Sequence, residues 1–522
     1  FYSTLHTMTQ RATLLLSLFV FSHCGSVTAT NYYVDSAKGS DSNNGKSPAK
    51  AWRTLANVNS GRFEPGDSVF FRRGCIWRET LSLTSSGNSS KDIVYSNYGR
   101  GPKPAFLGSS EVKSWISQGP NLWKSKEQIK LDPYAGYFKA EIFFISRGKN
   151  VRWGKHKSAL SELTADLDWT WSDGYVFIYS ASDPGKIFTR VEVPQRQQCI
   201  DLKNRIGIRI DGLDLYFARW SGISYDWSKD MAELSGLKVF NSLIAWIGSA
   251  SLLSGYGTEM AYSDMIISGD TIHDCGRRSI SLDIYGSGFT VRNVLIEKCV
   301  FYSGFHTTGI DLSVGNKNYN AGYNGLVIRR NLFYDDPSSE GWSNQIFLQN
   351  YDYAGGGARV ENVLIYSNIF RYPSSVSIMA EGIQGCGIYN NTFYNHNITK
   401  GKSVCHIWID AHNTGIKIKN NIFYTTLGND NLGNGIAITL LSDVSDVEAD
   451  YNLYYRINKF LKIINYRTTF SSDELAGIRK LMKWEINSPS PSDPLFNNPA
   501  VNDFSLKKGS PCAGTGVRLP EV

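Results

Sequence analysis

The sequence predicts an all-β fold: a single right-handed parallel β-helix, a solenoid with an N-terminal cap and insertion and a C-terminal cap. Three observations predict it. A phrase recurs through the second half: VLIEKCVFYSG from Val294, LVIRRNLFYDD from Leu326, VLIYSNIFRYP from Val363, CGIYNNTFYNH from Cys386, IKIKNNIFYTT from Ile416 and VEADYNLYYRI from Val447. Its turn position falls at Asn241, Asp270, Cys299, Asn331, Asn368, Asn391, Asn421 and Asn452, spaced by 23 to 37 residues, and a fixed phrase with variable spacers marks a solenoid. An aromatic follows two places later, as Phe301, Phe333, Phe370, Phe393, Phe423 and Tyr454. Between phrases stands another short strand: RSISLDI, TGIDLSV, NQIFLQN, VSIMAEG, CHIWIDA, GIAITLL. The strands are too short and too β-branched for helical repeats, and a β-propeller would need four strands per repeat, for which there is no room. Asn suits the turn because it tolerates left-handed backbone and can hydrogen-bond to its counterpart one coil away.

The N-terminal segment reads as an address. Arg11 precedes an apolar run from Leu14 to Phe21, and Val27-Thr28-Ala29 offers a cleavage site, so the expected mature chain begins at Thr30 and is secreted, periplasmic or on the cell surface. Lipidation of Cys24 ranks second, and residues 1–7, upstream of the first Met, resemble an artefact of gene calling. No later segment is long and apolar enough to span a membrane. Seven cysteines beyond Ala29, an odd number without regular spacing, read as buried thiols and not as a disulfide framework or zinc site. With 42% hydrophobic and 19% charged residues the chain is a folded protein, and its 48 glycines, 29 tyrosines and 13 tryptophans suit turn-rich β-structure with surfaces that stack on sugars. A net charge of +7 over 522 residues is modest, and no nucleic-acid partner is expected.

The openings YYVDSAKGSDSNNGKSPAKAWRTLANVN, FEPGDSVFFRRG and YGRGPKPAFLGS, together with the repeats and the closing DPLFNNPAVNDFSLKKGSPCAGTG, resemble the pectate-lyase-like superfamily of exported β-helix proteins acting on polysaccharides. DWTWSDGYVFIYSASDPGKIFTRVEV resembles the β-rich insertion that often precedes the main helix. The resemblance covers nearly all of the mature chain and implies fold and export, while the scaffold hosts lyases, hydrolases, epimerases and non-catalytic adhesins. It divides the chain into residues 1–29, the upstream residues and signal peptide; 30–205, the cap, early coils and insertion; 206–455, the regular helix; and 456–522, the C-terminal coil and cap with one short helix.

The strands between phrases carry the candidate chemistry. Aligning Ile280, Ile310, Ile346, Ile378, Ile407 and Ile436 inward sets three outward columns. One is Ser281, Asp311, Phe347, Met379, Trp408 and Ala437; the next is Asp283, Ser313, Gln349, Glu381, Asp410 and Thr439. The third holds Ser279, Gly309, Gln345, Ser377 and His406. Asp311 and Asp283, one coil apart and offset by two residues, should have Cβ atoms roughly 8 Å apart, within the range of an inverting glycosidase. Glu381 and Asp410, stacked in register, should lie about 5 Å apart, near the retaining distance, where repulsion raises one pKa as an acid catalyst requires. These four carboxylates are the candidate catalytic groups, with Asp311 central and Asp283 its partner. Trp408, His406, His306, Arg277, Arg278, Gln349 and Phe347 are the candidate substrate contacts.

A glycoside hydrolase acting on a polysaccharide as a monomer, without cofactor or metal, is the reading these columns favour. A lyase would need a cation against a uronate carboxylate, from Arg277, Arg278 or Ca²⁺ held by Asp283, Asp311 and Glu381, and a base such as His306 or His273. In the family that base is typically Lys or Arg on this face, and no outward Lys stands in the aligned strands. The consecutive aspartates and Gly-His-Gly of polygalacturonases are absent, as is the Asp-Pro-His of mannuronan epimerases. An adhesin or glycan-binding module predicts no groove and evenly scattered acids.

Overall fold

The computed structural model describes residues 28–513 apart from 130–141, 147–149, 226–231, 254–259, 285–289, 304–307, 316–321, 336–343, 352–356, 396–404, 411, 427–435, 441–445, 458, 464–467 and 472–474. The expected signal segment with Cys24, and the candidate contact His306, lie outside the described residues.

Each recurring phrase folds as two strands. The phrase at Val294 supplies Thr290–Glu297 to a first sheet and Val300–Ser303 to a second. Equivalent residues stack coil on coil, Val294 on Leu326, then Val363, Cys386, Ile416 and Val447. The intervening strands make a third sheet from Arg278–Ser281, Thr308–Val314, Asn344–Asn350, Val376–Glu381, Cys405–Ile409 and Ile436–Leu440. Sheets of 13, 11 and 12 strands wrap one apolar core, parallel throughout except for the last strand of the third. This is the right-handed parallel β-helix expected, its hand being that of parallel crossovers in general.

The inner aromatics do what their spacing predicts. Phe301, Phe333, Phe370, Phe393, Phe423 and Tyr454 form one stack, with centroids 4.7, 5.0, 5.0, 4.8 and 5.1 Å apart in turn. At the corner between the first two sheets the asparagines form a ladder. Asn368 Oδ1 accepts the backbone N–H of Asn331 at 3.0 Å, Asn391 Oδ1 that of Asn368 at 2.9 Å, and Asn421 Oδ1 that of Asn391 at 3.0 Å.

Two details of the turn differ from the expectation. The left-handed residue is the one before each asparagine (Arg330, Ser367, Asn390, Asn420 and Tyr451, with φ of 53 to 59°), so the ladder selects Asn for its hydrogen bonds. The earliest rung is Ser242, not Asn241. Ser242 donates its N–H to Asp270 Oδ1 at 2.7 Å, and Asn241 takes the left-handed place with φ 50°.

The ladder closes on Asn452, whose Nδ2 donates to Glu485 Oε1 at 3.0 Å and whose N–H donates to Ser488 Oγ at 2.9 Å. Beside it the helix Leu475–Met482 adds Leu475 and Ile478 to the main core. At the other end, strands Asn31–Val34, Ser68–Arg72 and Ile93–Tyr98 begin the first sheet. The chain then builds two small insertion sheets between Ser109 and Pro194 and rejoins the third sheet at Gln198–Asp201. Arg78 clamps the insertion to the helix, donating to Glu192 at 2.7 and 2.9 Å. Six of the seven described cysteines are buried, Cys512 is partly exposed, and none forms a disulfide.

Candidate active site

The third sheet carries the candidate residues in the register expected through its first five coils. Ile280 pairs with Ile310, and the column continues through Ile346, Ile378 and Ile407. The sixth coil is shifted by two residues: Ile407 pairs with Ile438 and Cys405 with Ile436, so Thr439, not Ala437, stands beside Trp408. Alternation then turns two acid groups to the outside of the core.

The first group is closed. Asp311 and Asp283 are 3% and 2% exposed, against the solvated position expected for a strand carboxylate. Arg278 opens its strand and leans across both. Its Nε lies 2.7 Å from Asp311 Oδ2, and its Nη1 donates to Asp283 Oδ2 and, at 3.0 Å, to Ser281 Oγ. Ser313 Oγ donates to Asp311 Oδ1 at 2.9 Å. Burial raises both carboxyl pKa values. The charge on Asp311 raises that of Asp283 further, while Arg278 and Ser313 oppose the rise at Asp311. Asp283 Oδ1 is buried without a hydrogen-bond partner among the described residues. Asp283 and Asp311 share the Arg278 guanidinium and titrate as a pair. Half-buried Arg277 adds a second positive charge felt at Asp311.

The second group is open. Glu381 and Asp410 are half-buried on adjacent coils, in register: Ala380 pairs with Ile409, and the Asp410 N–H donates to Ala380 O at 2.8 Å. Neighbouring strands are about 4.8 Å apart, which sets the backbones of Glu381 and Asp410 at about that separation. Burial raises the Glu381 pKa; a hydrogen bond from Gln349 Nε2 to Oε2, 2.7 Å long, opposes this, and the Asp410 charge adds to it. Trp408, two residues before Asp410 on one strand, is partly exposed and rests with Met379 on Val376, Cys405 and Ile436. Phe347 is likewise partly exposed in that column.

His406 does not share the outer face with these acids. Near the corner where the third sheet meets the second, the expected outward direction points back into the molecule. The imidazole is fully buried 5.4 Å from Phe393, with Nδ1 3.3 Å from Ser377 Oγ. Two residues escaped the sequence reading. Tyr351, directly after Asn344–Asn350, is 48% exposed, yet its phenol feels the charges of Asp311, Arg278, Asp283 and Glu381, members of both acid groups. His412 lies near enough to Glu381 to oppose its raised pKa. Both follow the ends of third-sheet strands, where no periodicity marks them.

Calcium does not fit the three carboxylates suggested for it. The Arg278 guanidinium lies between Asp283 and Asp311, and Glu381 stands two coils beyond Asp311. Among the described residues no three His, Cys, Asp or Glu side chains are grouped to hold a metal ion.

No protein-family model matches the chain, and no curated protein does. Similar solved structures include a complex of XylC with xylose, at 13% identity and TM-score 0.44 over 82% of this chain and 84% of that one. A structure named as a glycoside hydrolase is similar at 11% identity and TM-score 0.47, over 82% and 96%. Pectate lyase Pel9A is similar at 13% identity and TM-score 0.46, over 95% and 94%. The three sheets, the corner ladder and the inner aromatic stack make this chain a right-handed parallel β-helix.

Proposed function

We propose that the protein is an exported glycoside hydrolase that cleaves a polysaccharide with retention of anomeric configuration, Glu381 acting as general acid/base and Asp410 as nucleophile. What supports this is the pair's place in the sheet: two half-buried carboxylates on adjacent coils, just after paired Ala380 and Ile409, whose backbones are about 4.8 Å apart, close to the separation of about 5–5.5 Å between the carboxyls of a retaining enzyme. Glu381, the carboxyl held protonated to higher pH, donates its proton to the glycosidic oxygen. Asp410 attacks the anomeric carbon from the opposite side and forms a glycosyl ester. Glu381 then takes a proton from water as the water cleaves that ester. Gln349 holds the Glu381 carboxylate, and Trp408 offers a stacking plane about 6.6 Å along the strand from Asp410.

A second reading places catalysis on Asp283 and Asp311. It is favoured by two buried carboxyls, both raised in pKa, that share the Arg278 guanidinium, an arrangement in which one can hold a proton while the other is ionised. Its weakness is closure of the pair. A uronate lyase has less support, because Arg278 already donates to Asp283, Asp311 and Ser281.

Incubating the secreted protein with a panel of neutral and uronate polysaccharides, reading reducing ends and ultraviolet absorbance together, tests the class. New reducing ends without absorbance are expected; unsaturated products would hand the case to a lyase. On the substrate found, Asp410→Asn should lose far more activity than Asp311→Asn, and the reverse order would favour the second reading.

A further inference from the structure

A cleft of about 490 Å³ opens on the outer face of the second sheet, where the insertion folds over it, away from the acid groups just described. Three successive coils form its base. Asp214–Tyr216 gives Asp214 and Tyr216, Leu243–Ile247 gives Trp246, and Thr271–Cys275 gives His273. Ile145 and Val151 of the insertion close the other side, with Leu107 and Phe217 between. Its size is that of a small-molecule site, with mostly apolar walls and few polar groups.

Those polar groups are already fixed, with one exception. His273 Nδ1 is bound to Asp274 at 2.6 Å, and its ring stacks on Tyr302 at 4.2 Å. Lys103 Nζ donates to Asn241 O and its charge is felt at Asp214, and Arg190 lies 3.4 Å from Glu192 Oε1, so each cation has an acid near it. Asp214 is the exception. Its Oδ2 has only a long contact of 3.5 Å from the Tyr216 hydroxyl, and its Oδ1 is buried without a hydrogen-bond partner among the described residues. An acceptor left so is costly, and a ligand donor would relieve it. Burial has raised the Asp214 pKa despite the opposing charge of Lys103, as an unrelieved carboxylate requires.

We propose that this cleft is a second carbohydrate site, taking one uncharged pyranose ring whose C–H face packs on Trp246 and Phe217 while a ring hydroxyl donates to Asp214 Oδ1. A pyranose combines the two features the cleft asks for, a flat apolar face and several hydroxyl donors. The site is apart from the third-sheet acids, so it holds whether or not Glu381 and Asp410 catalyse.

Isothermal titration calorimetry of the full chain with glucose, galactose, mannose, xylose, glucuronate and galacturonate tests it. At least one neutral sugar should bind with a 1:1 component that Asp214→Ala weakens by about tenfold or more and Asp410→Asn leaves unchanged. Asp214→Asn, which keeps the side-chain shape, serves if the alanine variant does not fold and should weaken the same component. Binding of no neutral sugar, binding of uronates alone, or a component lost in Asp410→Asn but kept in the Asp214 variants would overturn the proposal.

Discussion

Asp270 stands where the later coils of the ladder have asparagine, and replacing it with asparagine tests how the corner is held. Asn331 accepts the Cys299 N–H at Oδ1, 2.9 Å, and donates from Nδ2 to Ile296 O at 3.0 Å. Asp270 accepts the Ser242 N–H in the same way, but its Oδ2 is buried with no partner among the described residues. The carbonyl equivalent to Ile296 O belongs to Val239, to which a carboxylate cannot donate. Burial, far more than the opposing Ser242 hydrogen bond, therefore lifts the Asp270 pKa from 3.8 to about 7.

Below about pH 4 Asp270 is protonated in both the folded and the unfolded chain, and its titration costs nothing. Between about pH 4 and 7 the folded chain keeps a proton that the unfolded chain has released, so stability falls as pH rises, and above about pH 7 the loss is complete. At about 1.4 kcal/mol per pKa unit the full loss is about 4 kcal/mol. Asp270→Asn should therefore be more stable than the native chain at pH 8, by up to this amount, and should lose most of the advantage at pH 4. Urea unfolding at the two pH values reads the difference. An asparagine variant less stable at pH 8, or an advantage equal at both pH values, would refute the reasoning.

Three further outcomes are expected. Phe393→Ala removes a fully buried member of the inner stack and should cost roughly 3–5 kcal/mol by denaturant titration; a surface-like loss below about 0.5 kcal/mol would contradict its place in the core. Because burial and Asp410 raise the Glu381 pKa and the acid form is the one that protonates the leaving group, kcat should fall as pH rises through that pKa; the fall should disappear in Glu381→Gln, whose residual turnover should be lower by about 10²–10⁴-fold. Trp408→Ala should raise KM more than it lowers kcat, if stacking is equal in ground and transition states, and steady-state kinetics separate the two.

Much of the fold was legible because a β-helix writes its cross-section into the chain once per coil. The Phe stack and the Asn ladder need one residue type at one place, and the sequence shows both. Registry failed where the pattern is uniform: in GIAITLL, Ile436 and Ile438 fit the core equally, and pairing with Cys405 and Ile407 decides between them. Ser242 was missed because Asn241, one place earlier, looks like the rung but serves as the left-handed residue.

At the site, alternation told which way Asp311 and Asp283 point, but not that Arg278 would lean over them. Alternation also fails near corners, which is why His406 lies against Phe393. Tyr351 and His412 gave no signal because they follow the strands and share no period with them.

Covalent trapping tests the central claim most directly. The protein would be incubated with 2-deoxy-2-fluoro glycosides of the sugar released from its substrate, which slow both steps of a retaining hydrolase and allow the glycosyl ester to accumulate. Intact-mass measurement followed by peptide mapping should find one sugar per chain, on Asp410, and none on Asp410→Asn. A label on Asp283 or Asp311, or no label while the substrate itself is being cleaved, would contradict the assignment of Glu381 and Asp410 as a retaining pair.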